Sequence, residues 1–126
     1  MPSLTAQFDA GTIDNTTFGH PDHVRLIWEL IHAEGVLGAV SRFETGLKRI
    51  AAGAGHPEKY HATITHAFAF LVGERIAEQG PLDWHQFQEQ NADLFEWPNV
   101  QLMNRYPNGE LDTQLARRTF VLPSGS

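Results

Sequence analysis

The chain has 126 residues, of which 41% are apolar and 19% are charged, a length and balance that predict one globular domain with its own core. It contains no cysteine, which excludes disulfides, thiolate metal sites and a cysteine nucleophile. The net charge of −6 repels a phosphate backbone, so nucleic acid is not an expected partner. No signal-peptide pattern and no apolar run of membrane length is visible, and we expect a cytoplasmic protein without membrane contact.

The first part of the chain divides into a leader and two helices, because glycine and proline interrupt its helical patterns. Residues 1–17 are predicted to be an irregular polar leader. The first helix is predicted at 21–33, since Pro21 suits the first helical position and Asp22 faces the positive end of the helix dipole. A second helix is predicted at 36–52, where apolar residues recur with the spacing of one helical face.

The rest of the chain predicts one long helix and several short ones. The segment 57–79 is predicted to be a helix that Gly80 and Pro81 terminate. Asp83 suits the N-cap of the next helix, because its carboxylate can accept hydrogen bonds from unpaired amides. The shorter helical segments are predicted at 83–91, 100–104 and 109–119, with an irregular tail at 121–126. No segment shows convincing strand alternation. The sequence therefore predicts a single all-α domain over 1–126, with three longer helices in a bundle and short C-terminal helices against one end.

Seven histidines are a high count for this length, and imidazole both titrates near neutral pH and binds metals. On a helical wheel of residues 61–76, with about 100° per residue, His61 lies at the centre of the apolar arc. Thr65 lies one turn further along the same face. Thr63 is placed on the opposite, outward side. We therefore expect His61 to enter the core and Thr63 to point away from it.

The same construction on the first helix places His23 within the apolar arc, and His20 projects from the helix start. The two residues are three apart in sequence, a spacing at which two helical side chains can share an ion. We expect His20, His23 and His61 to converge on one pocket. Three neutral imidazoles are a common binding site for one divalent transition metal, here Zn, Cu or Fe.

Residues near the candidate ligands are candidates for the catalytic and substrate-binding groups of the same site. Asp22 and Tyr60 could orient an imidazole, enter the metal's coordination shell or act as acid and base. Thr65 could hydrogen-bond a ligand or a bound water. Arg118 could bind a substrate carboxylate, although a helix C-terminus also favours arginine. Trp28 is a further candidate for substrate binding, and it is also a plain core aromatic.

Each histidine also has a purely structural interpretation. A histidine on an apolar face is more often a hydrogen-bonded core residue than a metal ligand, which applies to His61 and His23. His20 could serve only to cap the first helix. The other histidines are predicted to be surface or loop residues: His32, His56, His66 and His85.

Three segments carry a resemblance to a family: "FGHPDHVRLIWELI" at 18–31, "RFETGLKRIAAGAGHPEKYHATITHAF" at 42–68, and "ARRTFVLP" at 116–123. Together they resemble an uncharacterised family of small bacterial all-helical proteins with the motifs F-x-H-x-D-H, K-Y-H-x-T-x-T and a C-terminal R-x-F-V-L-P. The matching positions are Phe18, His20, Asp22, His23, Lys59, Tyr60, His61, Thr63, Thr65, Arg118 and Phe120. The resemblance implies that His20, His23, Tyr60 and His61 belong to one recurrent constellation.

These observations favour a small metal-dependent enzyme that acts on a small organic molecule through one divalent ion. An oxidoreductase is one candidate, which the residues do not separate from a hydrolase or a lyase. Two alternatives stay open. One is a non-catalytic helical protein that binds a small ligand or a metal; the other is a metal-free acid–base enzyme that pairs histidine with Asp22 or Tyr60. The expected partner is a small-molecule substrate, and a homodimer is left open as an assembly.

Overall fold

A computed structural model of the protein describes residues 4–13 and 18–125. Its α-helices are α1 (Leu4–Ala10), α2 (His20–Gly53), α3 (Ala62–Gln79), α4 (Trp84–Gln90), α5 (Val100–Arg105) and α6 (Gln114–Arg118), and short 3₁₀ helices span Pro57–Lys59, Ala92–Phe95 and Glu110–Asp112. The described residues contain no strand, so the predicted all-α class is confirmed. Within the same residues, no helix has both the length and the apolar character needed to cross a membrane.

The chain divides into two compact units, an N-terminal unit of Met1–Tyr60 and a C-terminal unit of His61–Ser126. The N-terminal unit contains α1 and α2, and the C-terminal unit contains α3 to α6. The bundle of three longer helices and the single domain over 1–126 stay predictions.

The long helix α2 contains the predicted boundary between the first two helices. Its backbone leaves the helical conformation at Gly35, where φ is +79°. This φ lies in the left-handed region that glycine adopts without steric cost. The predicted helices 21–33 and 36–52 correspond to the two sides of this interruption.

The leader is not wholly irregular, because Leu4–Ala10 forms α1. This helix packs on α2 through Phe8, whose side chain is only 3% exposed and whose ring centroid lies 6.1 Å from that of Phe43. A Cβ added at Gly46 would lie 1.9 Å from the Phe8 ring, so glycine is what lets the aromatic ring approach α2. The prediction of an irregular leader was wrong here because one buried aromatic residue anchors an otherwise polar segment. Residues 1–3 and 14–17 of the predicted leader lie outside the described residues.

Helix α3 begins later than the sequence predicted. Pro57–Lys59 forms a 3₁₀ helix in the N-terminal unit, and α3 starts at Ala62 with His61 as its N-cap. The predicted end is confirmed, because Gly80 closes α3 with a φ of +74°. The predicted cap at Asp83 is also confirmed: the Asp83 carboxylate accepts a hydrogen bond from the Gln86 backbone N–H at 2.8 Å.

The last part of the chain is irregular over 121–125, as predicted, and residue 126 lies outside the described residues. The C-terminal segment, defined as residues 119–125, is nonetheless tightly held. The Tyr106 hydroxyl donates to the carbonyl of Val121 at 2.8 Å, and the backbone N–H of Gly125 donates to the carbonyl of Arg105 at 3.0 Å. Val121 also packs against a core cluster of the C-terminal unit that contains Leu102, Tyr106 and Leu111.

Candidate functional site

The stretch "FGHPDH" starts helix α2. Gly19 is the N-cap, and its backbone N–H donates to Asp22 Oδ2 at 3.1 Å. This bond is the one half of a capping box that a glycine N-cap permits, because glycine has no side chain to accept in return. Pro21 occupies the first turn, where its missing N–H costs nothing. The predicted roles of Pro21 and Asp22 in starting the helix are therefore confirmed.

This helix start brings His20 and His23 together. Their ring centroids lie 6.4 Å apart and the rings are close to edge-to-face, with an interplanar angle of 64°. The spacing of three residues places both side chains on neighbouring positions of one helical surface. Both are half-buried. The two rings thus lie side by side within the N-terminal unit, and the predicted sharing of one ion stays a prediction.

His23 lies among aromatic rings. Its ring centroid is 4.4 Å from that of Phe18 and 6.0 Å from that of Phe43. Burial, together with a smaller effect of the nearby His20, lowers the pKa of His23 from 6.5 to about 4, although the Asp22 carboxylate acts in the opposite direction. At neutral pH the ring is therefore uncharged and keeps one nitrogen lone pair.

The depressed pKa of His23 predicts a loss of stability in mild acid. In the unfolded chain the ring takes up a proton below pH 6.5, whereas in the folded protein it does so only near pH 4. The contribution of this ring to the free energy of unfolding is therefore fully present above pH 6.5 and decreases as the pH falls towards 4. Between pH 7 and pH 5 the loss amounts to about 2 kcal/mol. Urea denaturation of metal-free protein at pH 7 and pH 5 measures this loss.

His23→Gln should remove most of that pH dependence, since glutamine does not titrate. His85→Gln is the matched control, because His85 is exposed and should leave the dependence unchanged. An equal loss of stability between pH 7 and pH 5 in wild type and His23→Gln would show that other groups cause it.

His61 is buried, as predicted, with 9% of its surface exposed, and both of its ring nitrogens have backbone partners. Nδ1 accepts from the Ile64 backbone N–H at 3.1 Å. Nε2 must therefore carry the proton, and it donates to the carbonyl of Leu111 at 2.6 Å. A metal at His61 would have to replace one of these hydrogen bonds. The residue has a structural role, and its role as a ligand stays a prediction.

The two threonines that follow His61 are also buried. Thr65 Oγ1 donates to the carbonyl of His61 at 2.7 Å, one turn back in the chain. Thr63 is fully buried, so its predicted outward orientation was wrong. Its Oγ1 donates to the carbonyl of Thr119 at 2.9 Å and accepts from the N–H of Val121 at 3.1 Å. The C-terminal segment covers the face of α3 that the wheel assigned to solvent.

Tyr60 lies in the N-terminal unit beside two charged residues of α2. Its hydroxyl donates to Glu44 Oε1 at 3.4 Å, and Lys48 Nζ lies 3.4 Å from the same oxygen and 5.3 Å from the centre of the Tyr60 ring. This group of three side chains was not predicted from the sequence. The available signal was the spacing of Glu44 and Lys48, an i,i+4 pair on one helix face. The predicted role of Tyr60 beside the histidines stays a prediction.

The two candidate substrate-binding residues lie in different units. Arg118 is exposed at the end of α6 in the C-terminal unit. Trp28 is half-buried on α2, where its ring centroid lies 4.3 Å from that of His32. Their roles in binding substrate stay predictions.

The remaining histidines differ in exposure. His32, His56 and His85 are exposed, as predicted. His66 is half-buried instead, with its ring centroid 6.0 Å from that of Phe120. The C-terminal segment therefore also shields this histidine of α3.

Of the three predicted metal ligands, the structure brings together His20 and His23, whereas His61 belongs to the C-terminal unit. Over 4–13 and 18–125, no group of three or more histidine, cysteine, aspartate or glutamate side chains is arranged to hold a metal ion. The convergence of all three histidines on one pocket stays a prediction.

No protein-family model matches this chain, and no curated protein and no solved structure matches it either. The resemblance carried by the three motifs stays a prediction.

Proposed function

We propose that the protein is a small metal-dependent enzyme in which His20 and His23 bind one divalent transition metal and the substrate is a small organic molecule. The observation that carries this proposal is the placement of the two imidazoles side by side at the start of α2. Oxidoreductase chemistry is our first candidate, and the residues fit hydrolysis or elimination as well.

The atoms that could bind the ion, imidazole nitrogens and carboxylate oxygens, are of the kinds that divalent transition metals prefer. Metal binding needs a deprotonated imidazole nitrogen, and burial keeps His23 uncharged at neutral pH by lowering its pKa to about 4. Asp22 lies between the two histidines in sequence, and the oxygen that caps the helix leaves further lone pairs on its carboxylate. Imidazole and carboxylate are ligand types that iron and zinc both accept. Because the described residues contain no group of three such side chains arranged around one ion, ligation by Asp22 would require its side chain to move.

The residues around His20 and His23 would orient the metal ligands and shield them from water. The Gly19 N–H holds the Asp22 carboxylate in place, and Phe18 and Phe43 keep water from part of the His23 ring. A bound ion would act there as a Lewis acid that polarises a substrate or activates water. Two histidines are fewer than the three protein ligands usual at catalytic zinc sites, so the remaining positions would take Asp22, water or substrate.

A metal-free acid–base enzyme is the second candidate. A catalytic base works best when its pKa lies near the working pH, and burial takes the pKa of His23 well below that range, to about 4. The same shift favours a metal ligand, which must stay uncharged. The lowered pKa of His23 therefore favours metal ligation over proton abstraction by this ring.

Metal analysis of protein purified without a histidine tag tests the proposal. The protein is incubated with Zn, Cu and Fe salts, desalted and assayed for bound metal, and its thermal stability is compared with and without a chelator. We expect about one ion per chain, since mononuclear sites bind one, and a lower melting temperature in chelator. His20→Asn and His23→Asn should each lose the ion.

His85→Asn is the matched control, because His85 is exposed on α4, and it should keep the ion. His61→Asn tests whether a third imidazole takes part. Failure of the wild type to bind any of the three metals, with no effect of chelator, would overturn the metal site. Binding without turnover of any small organic substrate would favour the non-catalytic alternative.

A further inference from the structure

We propose that the C-terminal unit contains a second binding site, a groove for one apolar α-amino acid of about the size of leucine. The groove has a volume of about 120 Å³ and lies between α3, α5 and the C-terminal segment. The residues that line it are Ala67, Phe70, Leu71, Glu74, Leu102, Arg105, Tyr106, Phe120 and Pro123. His20 and His23 take no part in it, so this site stands independently of the proposed metal site.

The walls of the groove are fixed before any ligand binds. The C-terminal segment, which supplies Phe120 and Pro123, is tied to α3 through Thr63 and to Tyr106 through the carbonyl of Val121. At its end, a Cβ on Gly125 would lie 2.2 Å from the carbonyl oxygen of Asn104, so the close approach requires glycine. A preformed site avoids the ordering cost that weakens binding to mobile segments.

The interior of the groove is apolar. Leu71, Leu102 and Tyr106 are buried and form its floor. Phe70 is 39% exposed at the rim and meets Phe120 edge-to-face, with ring centroids 6.0 Å apart. A cavity of about 150 Å³ is known to hold a benzene ring, so the groove is of a size for a branched alkyl side chain.

Two opposite charges line the same groove. Glu74 and Arg105 are both exposed, and neither side chain forms an ion pair or hydrogen bond with another of the described residues. An α-amino acid carries an ammonium that Glu74 can bind and a carboxylate that Arg105 can bind as a planar fork. The apolar floor and the two charges are together complementary to a zwitterion with an apolar side chain.

Titration of isotope-labelled protein with L-leucine, followed by NMR, tests this site. We expect the NMR chemical shifts of Phe70, Leu71, Arg105 and Phe120 to change and to reach saturation as L-leucine is added. Two analogues provide the comparison: 4-methylpentanoate lacks the ammonium, and 3-methylbutylamine lacks the carboxylate. Each should bind more weakly than L-leucine, by about threefold to tenfold, because it loses one charge-assisted contact.

Four charge variants and one variant that fills the groove make the test specific. Glu74→Gln and Arg105→Gln should weaken L-leucine binding by about the same factor, whereas Glu78→Gln and Arg117→Gln, which change charges outside the groove lining, should not. If either analogue bound as tightly as L-leucine, the proposal that the groove recognises a zwitterion would be wrong. If L-leucine caused no NMR chemical-shift changes at the groove residues, the proposal of a binding site there would be wrong. Ala67→Leu should block the groove; if this variant fails to fold, the two charge variants decide the matter.

Discussion

Replacing His61 by alanine should lower the free energy of unfolding by about 3 kcal/mol, even in protein without metal. The change removes the acceptor for the Ile64 N–H at the start of α3 and the donor for the carbonyl of Leu111. Loss of an N-cap costs about 1 kcal/mol, and an unsatisfied buried carbonyl costs about 1–3 kcal/mol. Urea denaturation in the presence of chelator measures the difference.

A second substitution at the same position separates the two contributions. Asparagine is a good N-cap, so His61→Asn should recover about 1 kcal/mol by accepting from the Ile64 N–H, but it should not reach Leu111. His56→Ala is the matched control, since His56 is exposed and should change stability little. If His61→Ala were harmless in chelator and destabilising only with metal present, the ligand role would outweigh the structural one.

The sequence predicted those features of the fold that depend on local chemistry. Pro21 and Asp22 start α2, Gly80 ends α3 and Asp83 caps α4, because each acts on backbone groups within a few residues of itself. The proximity of His20 and His23 is also local, because residues three apart on a helix lie next to each other on its surface.

Features that depend on distant parts of the chain could not be predicted in this way. Helix α1 is held by the fit of Phe8 against Gly46, which neither composition nor periodicity contains. The Nε2 partner of His61 is the carbonyl of Leu111, 50 residues away. The helical wheel also assumed that His61 lies within α3, whereas the residue is its N-cap.

The segment K-Y-H-x-T-x-T contains both kinds of feature within a few residues: contacts with neighbours in sequence and contacts with distant parts of the chain. The sequence predicted that Thr65 bonds a ligand or a bound water and that Thr63 points towards solvent. The hydrogen bond observed for the Thr65 hydroxyl goes to the carbonyl of His61, one turn earlier in the chain. Thr63 instead bridges to the C-terminal segment. Thr63 therefore has a structural role, since it fastens two segments that lie far apart in the chain.

Thr63→Val is the sharpest test of this structural role, with an expected loss of about 2–3 kcal/mol in the free energy of unfolding. Valine keeps the shape of the side chain but leaves the N–H of Val121 and the carbonyl of Thr119 without their partner. Thr65→Val is the matched control on the same helix, because the carbonyl of His61 still accepts from the Thr65 N–H. Its cost should stay below about 1 kcal/mol.

Hydrogen exchange distinguishes a local effect from a global one. In Thr63→Val, the amide of Val121 should exchange faster than in the wild type, and so should that of Gly125, which bonds to Arg105 at the end of the same segment. Since this segment forms one wall of the groove, L-leucine binding should weaken in Thr63→Val and persist in Thr65→Val. Equal stability of the two variants would mean that the C-terminal segment is held by its apolar contacts, such as Val121 on the core cluster, rather than by the Thr63 hydroxyl.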